Sequence, residues 1–172
     1  MKKIIIVWEE REQKLYGSLI KQAKKIAKEL DMEAVLFPLQ DKGNYKTYER
    51  LKEIDADYLL VFDMAGFEMS TLQEVSSYNI LYAKQIHILF GNDEKYRKHL
   101  KKNLALNLFF FLSDENLLEE YKQEYPHILN LEAMPPLLTG KKLTARQQEE
   151  NQEVLRGIIE QVYHQVETAG TH

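Results

Sequence analysis

The chain has 172 residues, of which 44% are hydrophobic and 29% are charged, and it contains no cysteine. This length predicts a single domain with its own core, and the lack of cysteine excludes disulfides, thiolate metal sites and a cysteine nucleophile. A formal net charge of −4 argues against a general nucleic-acid binder, which would be basic.

Six short apolar runs lie along the chain at intervals that suit one strand and one connecting helix each. Their hydrophobicity is nearly continuous, which is typical of strands that a parallel sheet buries on both faces. The predicted strands are Ile4–Trp8, Ala34–Phe37, Tyr58–Phe62, Gln85–Phe90, Leu106–Leu112 and Ile128–Leu131.

Amphipathic stretches between these runs predict helices. Several begin with residues that satisfy the free amides of a first helical turn, including two capping-box patterns. The predicted helices are Leu15–Leu30, Tyr45–Ile54, one opening with the capping box Thr71–Glu74, one after Asn92, one after Ser113–Asp114 and one that opens with the capping box of Thr144 and Gln147 and continues to Val166.

This alternation predicts an α/β fold, a three-layer α/β/α sandwich with a mostly parallel, doubly wound (Rossmann-like) sheet of about six strands and a C-terminal helix. We expect residues 1–140 to form the Rossmann-like domain, 141–167 a linker and an amphipathic helix packed on it, and 168–172 a frayed tail. The first apolar run is too short for a signal peptide, and no stretch is long enough to cross a bilayer. A cytoplasmic protein without a transmembrane segment is therefore expected.

Ligands of doubly wound sheets bind outside the carboxyl ends of the strands, so the residues at these positions are candidates for binding. They form an acidic rim without a glycine-rich nucleotide loop, and no catalytic residue or metal site is evident. The loop Gly66–Met69 stands out because a Phe and a Met beside a strand-end glycine have less need to be there for packing. The ligand-binding candidates are Glu9, Glu10, Arg11, Asp63, Gly66, Phe67, Glu68 and Asn92.

Four segments of the chain follow one another in an order that is known from an enzyme family. They are a strand ending in an aspartate (Ala56–Asp63), a glycine-containing loop (Gly66–Glu68), Tyr78–Asn79, and a following strand (Lys84–Phe90). In this order they resemble the N-terminal, acceptor-side half of GT-B glycosyltransferases, and among these the bacterial group related to spore-maturation proteins. The resemblance covers residues 1–140, and Pro135–Pro136 stands where the two halves of such enzymes join.

A complete GT-B enzyme has two such halves, and most sugar-nucleotide contacts lie in the second one, which would begin where this chain ends. The resemblance therefore implies a non-catalytic or half-enzyme domain that acts with a partner chain or as a homodimer. It implies no activity for the isolated chain and no cofactor.

A second resemblance supports an alternative. The segment Asp57–Gly66 resembles the phospho-acceptor strand of response-regulator receiver domains, and Glu9 and Glu10 stand where receivers carry an acidic metal-binding pair. Receivers have a Ser or Thr where this chain has Gly91–Asn92, and a Lys where it has Ser113–Glu115. The alternative is a self-sufficient ligand- or Mg²⁺-binding domain, receiver-like or a small-molecule enzyme, that uses the acidic rim. A structural or oligomerisation domain is a third hypothesis.

Two further features have a structural and a functional interpretation. His87 lies between two isoleucines of a predicted strand, and a core histidine is favoured over a catalytic one. The helix after Asn92 is basic, which favours a solvated face but is also compatible with contact to a membrane surface. The cations of this helix are Lys95, Arg97, Lys98, Lys101 and Lys102.

Overall fold

A computed structural model describes residues 1–40, 43–69 and 76–170 of the chain, with side chains up to residue 165. Within these ranges there are eleven strands and helices and two 3₁₀ turns, at Glu10–Glu12 and Ser77–Ile80. In chain order the elements are β1 (Lys2–Glu9), α1 (Gln13–Glu29), β2 (Met32–Leu39), α2 (Tyr45–Ile54), β3 (Tyr58–Phe62), β4 (Lys84–Ile88), α3 (Asp93–Leu100), β5 (Leu108–Leu112), α4 (Glu115–Glu124), β6 (Leu131–Ala133) and α5 (Ala145–Gly170).

The strands form one sheet in the order β2-β1-β3-β4-β5-β6, and every neighbouring pair is parallel. Successive side chains of a strand point to opposite faces, so each strand supplies both apolar layers. Ile5 and Val7 belong to one buried cluster, whereas Ile4 and Ile6 belong to the other. The predicted three-layer, doubly wound sheet of six strands is therefore confirmed over the described ranges.

Side-chain caps fix where several helices begin, some of them predicted and some not. Asn44 accepts a hydrogen bond from the Thr47 amide at 3.1 Å at the start of α2. The capping box before α5 is confirmed, because Gln147 N donates to Thr144 Oγ1 at 3.1 Å and Thr144 N donates to Gln147 Oε1 at 2.9 Å. The other predicted capping box, Thr71–Glu74, lies outside the described residues.

Two strands begin later than predicted. β5 begins at Leu108 instead of Leu106, and β6 begins at Leu131 instead of Ile128. The Asn130 side chain donates to the Leu106 carbonyl at 2.8 Å, so a side chain occupies the acceptor that a longer ladder would use. An apolar sequence does not show whether a neighbouring strand or a side chain will satisfy a given backbone carbonyl, because either can do so.

The last helix packs on the same sheet. α5 lies beside α1 and over β4, and its apolar stripe enters the core cluster that contains Ile4 and Ile6. Gln22 of α1 donates to the Gln148 carbonyl at 2.8 Å. No helix in the described part of the chain is both long and apolar enough to span a membrane. The buried apolar residues among the described side chains of α5 are Leu155, Ile158, Ile159 and Val162.

Two glycines provide a test of how tightly the loop after β3 is packed. Gly66 has a φ of +84°, and a Cβ there would lie 2.8 Å from Tyr78 Oη and 3.0 Å from Leu39 Cδ1. We expect Gly66→Ala to lower the free energy of unfolding by about 2–4 kcal/mol, because it adds both backbone strain and a clash. Urea unfolding followed by circular dichroism measures this change.

The matched control is Gly157→Ala in α5, where no atom lies within 4 Å of the added Cβ. This substitution should raise the free energy of unfolding by about 0.5–1 kcal/mol, because alanine is the better helix former. Equal unfolding curves for Gly66→Ala and the wild type would contradict the packing described for this loop.

Candidate functional site

A small cleft opens outside the carboxyl ends of β1, β3 and β4, and we call it the carboxyl-edge cleft. Its volume is about 70 Å³. In the sheet β2 lies on one side of β1, and β3 lies on the other side. The cleft is therefore at the point where the strand order reverses. Doubly wound sheets bind their ligands at such a switch point. The residues that line the cleft are Glu9, Arg11, Glu12, Tyr16, Phe62, Asp63, Asn92 and Lys95.

Lys95 places a positive charge in the cleft. Asn92 caps α3 by accepting from the Lys95 amide at 3.4 Å, which fixes the first helical turn against the sheet. From there the Lys95 ammonium donates to the Asp63 carbonyl at 2.9 Å and lies 3.8 Å from Glu9 Oε1. The cleft thus contains its own cation between the ends of β1 and β3.

The Tyr96 hydroxyl joins the ends of two strands. It accepts from the amides of Phe90 and Gly91 at 2.8 and 2.9 Å, and it donates to the Asp63 carboxylate. Burial and the charge of Asp63 raise the pKa of Tyr96, so the phenol keeps its proton and remains a donor. Asp63 and Met64 have φ values of 52° and 55°, a left-handed conformation that is costly for residues other than glycine. These hydrogen bonds hold Asp63 in that conformation.

Glu9 has a second cationic partner and an aromatic neighbourhood. Arg11 Nε lies 2.7 Å from Glu9 Oε2, and the rest of the Arg11 side chain is exposed. Tyr16 lines the cleft and stacks on Phe62 with ring centroids 5.2 Å apart. Burial and the charge of Asp63 raise the pKa of Tyr16, so its hydroxyl is uncharged. The cleft therefore combines carboxylates with a neutral phenol.

The structure brings together half of the candidate residues. Of the predicted set, Glu9, Arg11, Asp63 and Asn92 line the cleft, whereas Glu10 is exposed beside it. The sequence-based prediction missed Lys95, Tyr16, Glu12 and Phe62. Lys95 could have been found from its position, because it is the third residue after the Asn92 cap and the first turn of a helix after a strand faces the sheet edge.

The loop after β3 is not the open loop that the sequence predicted. Phe67 and Met69 are buried in the core, and the ring of Phe67 lies 5.0 Å from those of Tyr78 and His87. The expectation that these residues have little need for packing is wrong, because the left-handed turn directs them inward. A role of Gly66 and Phe67 in ligand binding remains a prediction.

Glu68 adds to the negative charge of the rim from an adjacent pocket. Burial alone would raise the pKa of Glu68, but the His99 ring, whose Nε2 lies 3.8 Å from Glu68 Oε1, and the charge of Lys95 lower it to about 2. Glu68 is therefore ionised at neutral pH. Three carboxylates (Glu9, Glu12 and Asp63) and two cations (Arg11 and Lys95) line the cleft, and Glu68 lies in the adjacent pocket.

The basic helix predicted after Asn92 is α3, and part of its charge is already neutralised. Lys95 points into the cleft, and Arg97 makes ion pairs with Asp93, Glu120 and Glu124. The cations left at the surface are Lys98, Lys101 and Lys102. Contact of this helix with a membrane surface remains a prediction.

His87 is a core residue, as the sequence favoured. Its ring is fully buried, and its Nε2 lies 2.9 Å from Gln85 Oε1, which can only accept. Nε2 therefore carries the proton of the neutral ring. Burial lowers the pKa of His87 to about 3.

This chain is similar over most of its length to solved structures of other proteins. One is a putative quinone reductase from Klebsiella pneumoniae, with 11% identity, a TM-score of 0.43 and coverage of 95% of this chain and 85% of that one. Another is a flavodoxin from the domain Archaea, with 15% identity, a TM-score of 0.39 and coverage of 95% of this chain and 100% of that one. No protein-family model and no curated protein sequence matches. Similarity at this level carries no argument about what this chain binds.

The expected relation to the acceptor half of GT-B glycosyltransferases is wrong. The similar structures are a quinone reductase and a flavodoxin, and neither is half of a glycosyltransferase. The strand order β2-β1-β3-β4-β5 is also the order of flavodoxin-like sheets. The resemblance arose from buried strands that end in acidic residues, a pattern that many doubly wound sheets share.

The expectation of no cofactor is at odds with the similar structures, because one of them is a flavodoxin, and flavodoxins hold FMN at this switch point. The residues after β1 nevertheless do not fit the phosphate of a flavin nucleotide. The loop there has no glycine before Gly17 and presents Glu9, Glu10 and Glu12, while Arg11 is engaged by Glu9. A phosphate would meet carboxylates where it needs free amides.

The Mg²⁺ hypothesis receives no support from the cleft. In the ranges that the structure describes, no group of three or more His, Asp or Glu side chains is arranged to hold a metal ion. The ammonium of Lys95 lies near Glu9 and binds the carbonyl of Asp63, two oxygens that a cation would otherwise approach.

Removal of the Tyr96 hydroxyl tests its bridging role. We expect Tyr96→Phe to lower the free energy of unfolding by about 2–3 kcal/mol, because two amides and a carboxylate lose their partner. The control is Tyr82→Phe, whose side chain is 99% exposed and whose hydroxyl has no such burial. Urea unfolding of both variants measures the difference, and equal losses would contradict the bridging role.

Burial of neutral His87 predicts sensitivity to acid. Below a pH of about 6.5 the unfolded chain protonates this histidine, while the native chain does so only near pH 3. Between these values the free energy of unfolding therefore falls by about 1.4 kcal/mol for each unit by which the pH falls. Urea unfolding near neutral pH and at about pH 5 should thus differ by about 2 kcal/mol more in the wild type than in His87→Phe. The surface variant His127→Gln should keep the wild-type dependence, and a His87→Phe protein that is equally acid-sensitive would contradict the assignment.

Proposed function

We propose that this domain binds a small, polar, positively charged ligand, such as an amine, at the carboxyl-edge cleft. The observation that carries the proposal is the excess of carboxylates at the switch point of the sheet, where three carboxylates and two cations line the cleft. Such a rim attracts cations and repels phosphates and carboxylates, and partial burial strengthens both effects.

The size of the cleft limits what enters it. A volume of about 70 Å³ is several times the roughly 10–15 Å³ that one water needs on the same measure, so a small polar head group fits. An ammonium with one or two carbons has a suitable size. The remainder of the ligand would extend over the exposed side chains of Arg11 and Glu10.

Each polar group has a distinct part in this binding. Glu12, Asp63 and the Tyr16 hydroxyl are the acceptors available to an ammonium at the cleft wall. Lys95 and Tyr96 are positioning residues, because they hold the Asp63 backbone and carboxylate, respectively. No covalent step is required, so the proposal is one of binding.

Matched compounds provide the test. Two series each compare a positive, a neutral and a negative compound. They are glucosamine, glucose and glucose 6-phosphate, and ethanolamine, ethylene glycol and phosphate. We expect the amines alone to raise the melting temperature of the full chain, with dissociation constants then measured by calorimetry. The effect should weaken with added salt.

Variants separate the cleft from the overall charge. Asp63→Asn and Glu12→Gln should weaken amine binding by about tenfold, because each removes an ionic acceptor. Glu132→Gln changes the same charge at the end of β6, outside the cleft, and should bind as the wild type does. Tight binding of FMN, a response to phosphates only, or no response to any amine would overturn the proposal.

A further inference from the structure

The opposite edge of the sheet exposes large apolar side chains. They lie in the three loops that lead into β4, β5 and β6, which are neighbours in the sheet. We call this surface the amino-edge patch. Its members and their exposed fractions are Tyr82 (99%), Leu104 (79%), Leu129 (73%) and Leu106 (65%).

Asparagine side chains hold these loops together. Asn79 Oδ1 accepts from the amides of Leu104 and Ala105 at 3.2 and 3.3 Å. Asn107 Nδ2 donates to the carbonyls of Leu81 and Ala83, each at 2.7 Å, and so joins the second loop to the first. The third loop is tied to the second by the bond of Asn130 to Leu106. The apolar side chains are therefore presented on a fixed surface.

The charge around the patch is positive, in contrast to the rest of the molecule. Residues 80–84, 101–107 and 127–130 contain three lysines and one histidine but no acidic residue, although the chain carries a net charge of −4. Two carboxylates border the patch on the side of β3: Asp55 lines a pocket with Tyr82, and Asp57 accepts from the Lys3 amide at 2.9 Å. The lysines are Lys84, Lys101 and Lys102.

We propose that the amino-edge patch docks the protein on an anionic lipid surface. Leucines and a tyrosine at loop tips enter the boundary between headgroups and acyl chains, while the lysines contact anionic headgroups. A protein partner fits less well, because lysine is depleted and flat aromatic or arginine clusters are enriched in the cores of protein interfaces. The docking is peripheral and uses a surface separate from the carboxyl-edge cleft.

The test uses the full chain and sedimentation with lipid vesicles. We expect the protein to bind vesicles that contain phosphatidylserine and to bind pure phosphatidylcholine vesicles at least about tenfold more weakly, because each lysine near an anionic surface contributes about fivefold to partitioning. Raising the salt concentration should remove most of this preference. Absence of binding to the phosphatidylserine vesicles would overturn the proposal.

Paired variants separate the apolar and charged contributions. Leu104→Ser with Leu106→Ser, and Lys101→Gln with Lys102→Gln, should each lower binding by about tenfold or more. The matched controls are Leu36→Ser, which is 41% exposed on the edge strand β2, and Lys21→Gln with Lys24→Gln on α1. Equal losses in the controls would mean nonspecific adsorption and would overturn the proposal.

Two measurements distinguish lipid docking from misfolding of a variant and from self-association. Tyr82→Ser removes a side chain with almost no packing to lose, so it should fold and bind vesicles several-fold more weakly even if the double leucine variant unfolds. Sedimentation velocity without lipid measures self-association. A dimer that the leucine variant abolishes, without vesicle binding by the wild type, would assign the patch to a second copy of the chain and overturn the lipid proposal.

Discussion

The Tyr96 hydroxyl is the single group on which the geometry of the carboxyl edge depends. It satisfies two amides after β4 and one carboxylate after β3, so one phenol fixes the relative position of two strand ends. Asp63 remains in a left-handed conformation only because of such contacts, and its carbonyl is thereby directed to Lys95. The cleft, its charge and its internal cation all follow from this arrangement.

Most of the fold could be predicted because parallel strands buried on both faces have an unambiguous sequence pattern. Tyr58–Phe62 and Tyr45–Ile54 occur in the structure with the predicted bounds. The pattern was wrong at Leu106, whose carbonyl accepts from the Asn130 side chain, and at Ile128, whose amide donates to the Tyr125 carbonyl in a turn. Strand order could not be predicted, because the connections are long enough to permit several orders.

The candidate site was predicted in part. Residues immediately after the strands, such as Glu9 and Asp63, could be placed at one edge because parallel strands end there together. Lys95 was assigned to a surface patch, since a sequence does not distinguish the buried from the exposed flank of a short polar helix. The sequence predicts Phe67 at the rim, whereas in the structure the left-handed turn at Asp63 and Met64 directs it into the core. This turn could not be predicted, because Asp and Met normally avoid the left-handed conformation.

The helix α3 has one end at each edge of the sheet. Lys95 lies in its first turn at the cleft, and Lys101 follows its last turn beside the exposed leucines. The two edges are separated by a strand of roughly 17 Å, which exceeds the screening distance of physiological salt, so their charges barely sense each other through solvent. A helix of two turns is nevertheless stiff. The carboxyl-edge cleft and the amino-edge patch therefore share one rigid element, which supplies a charged side chain to each of them.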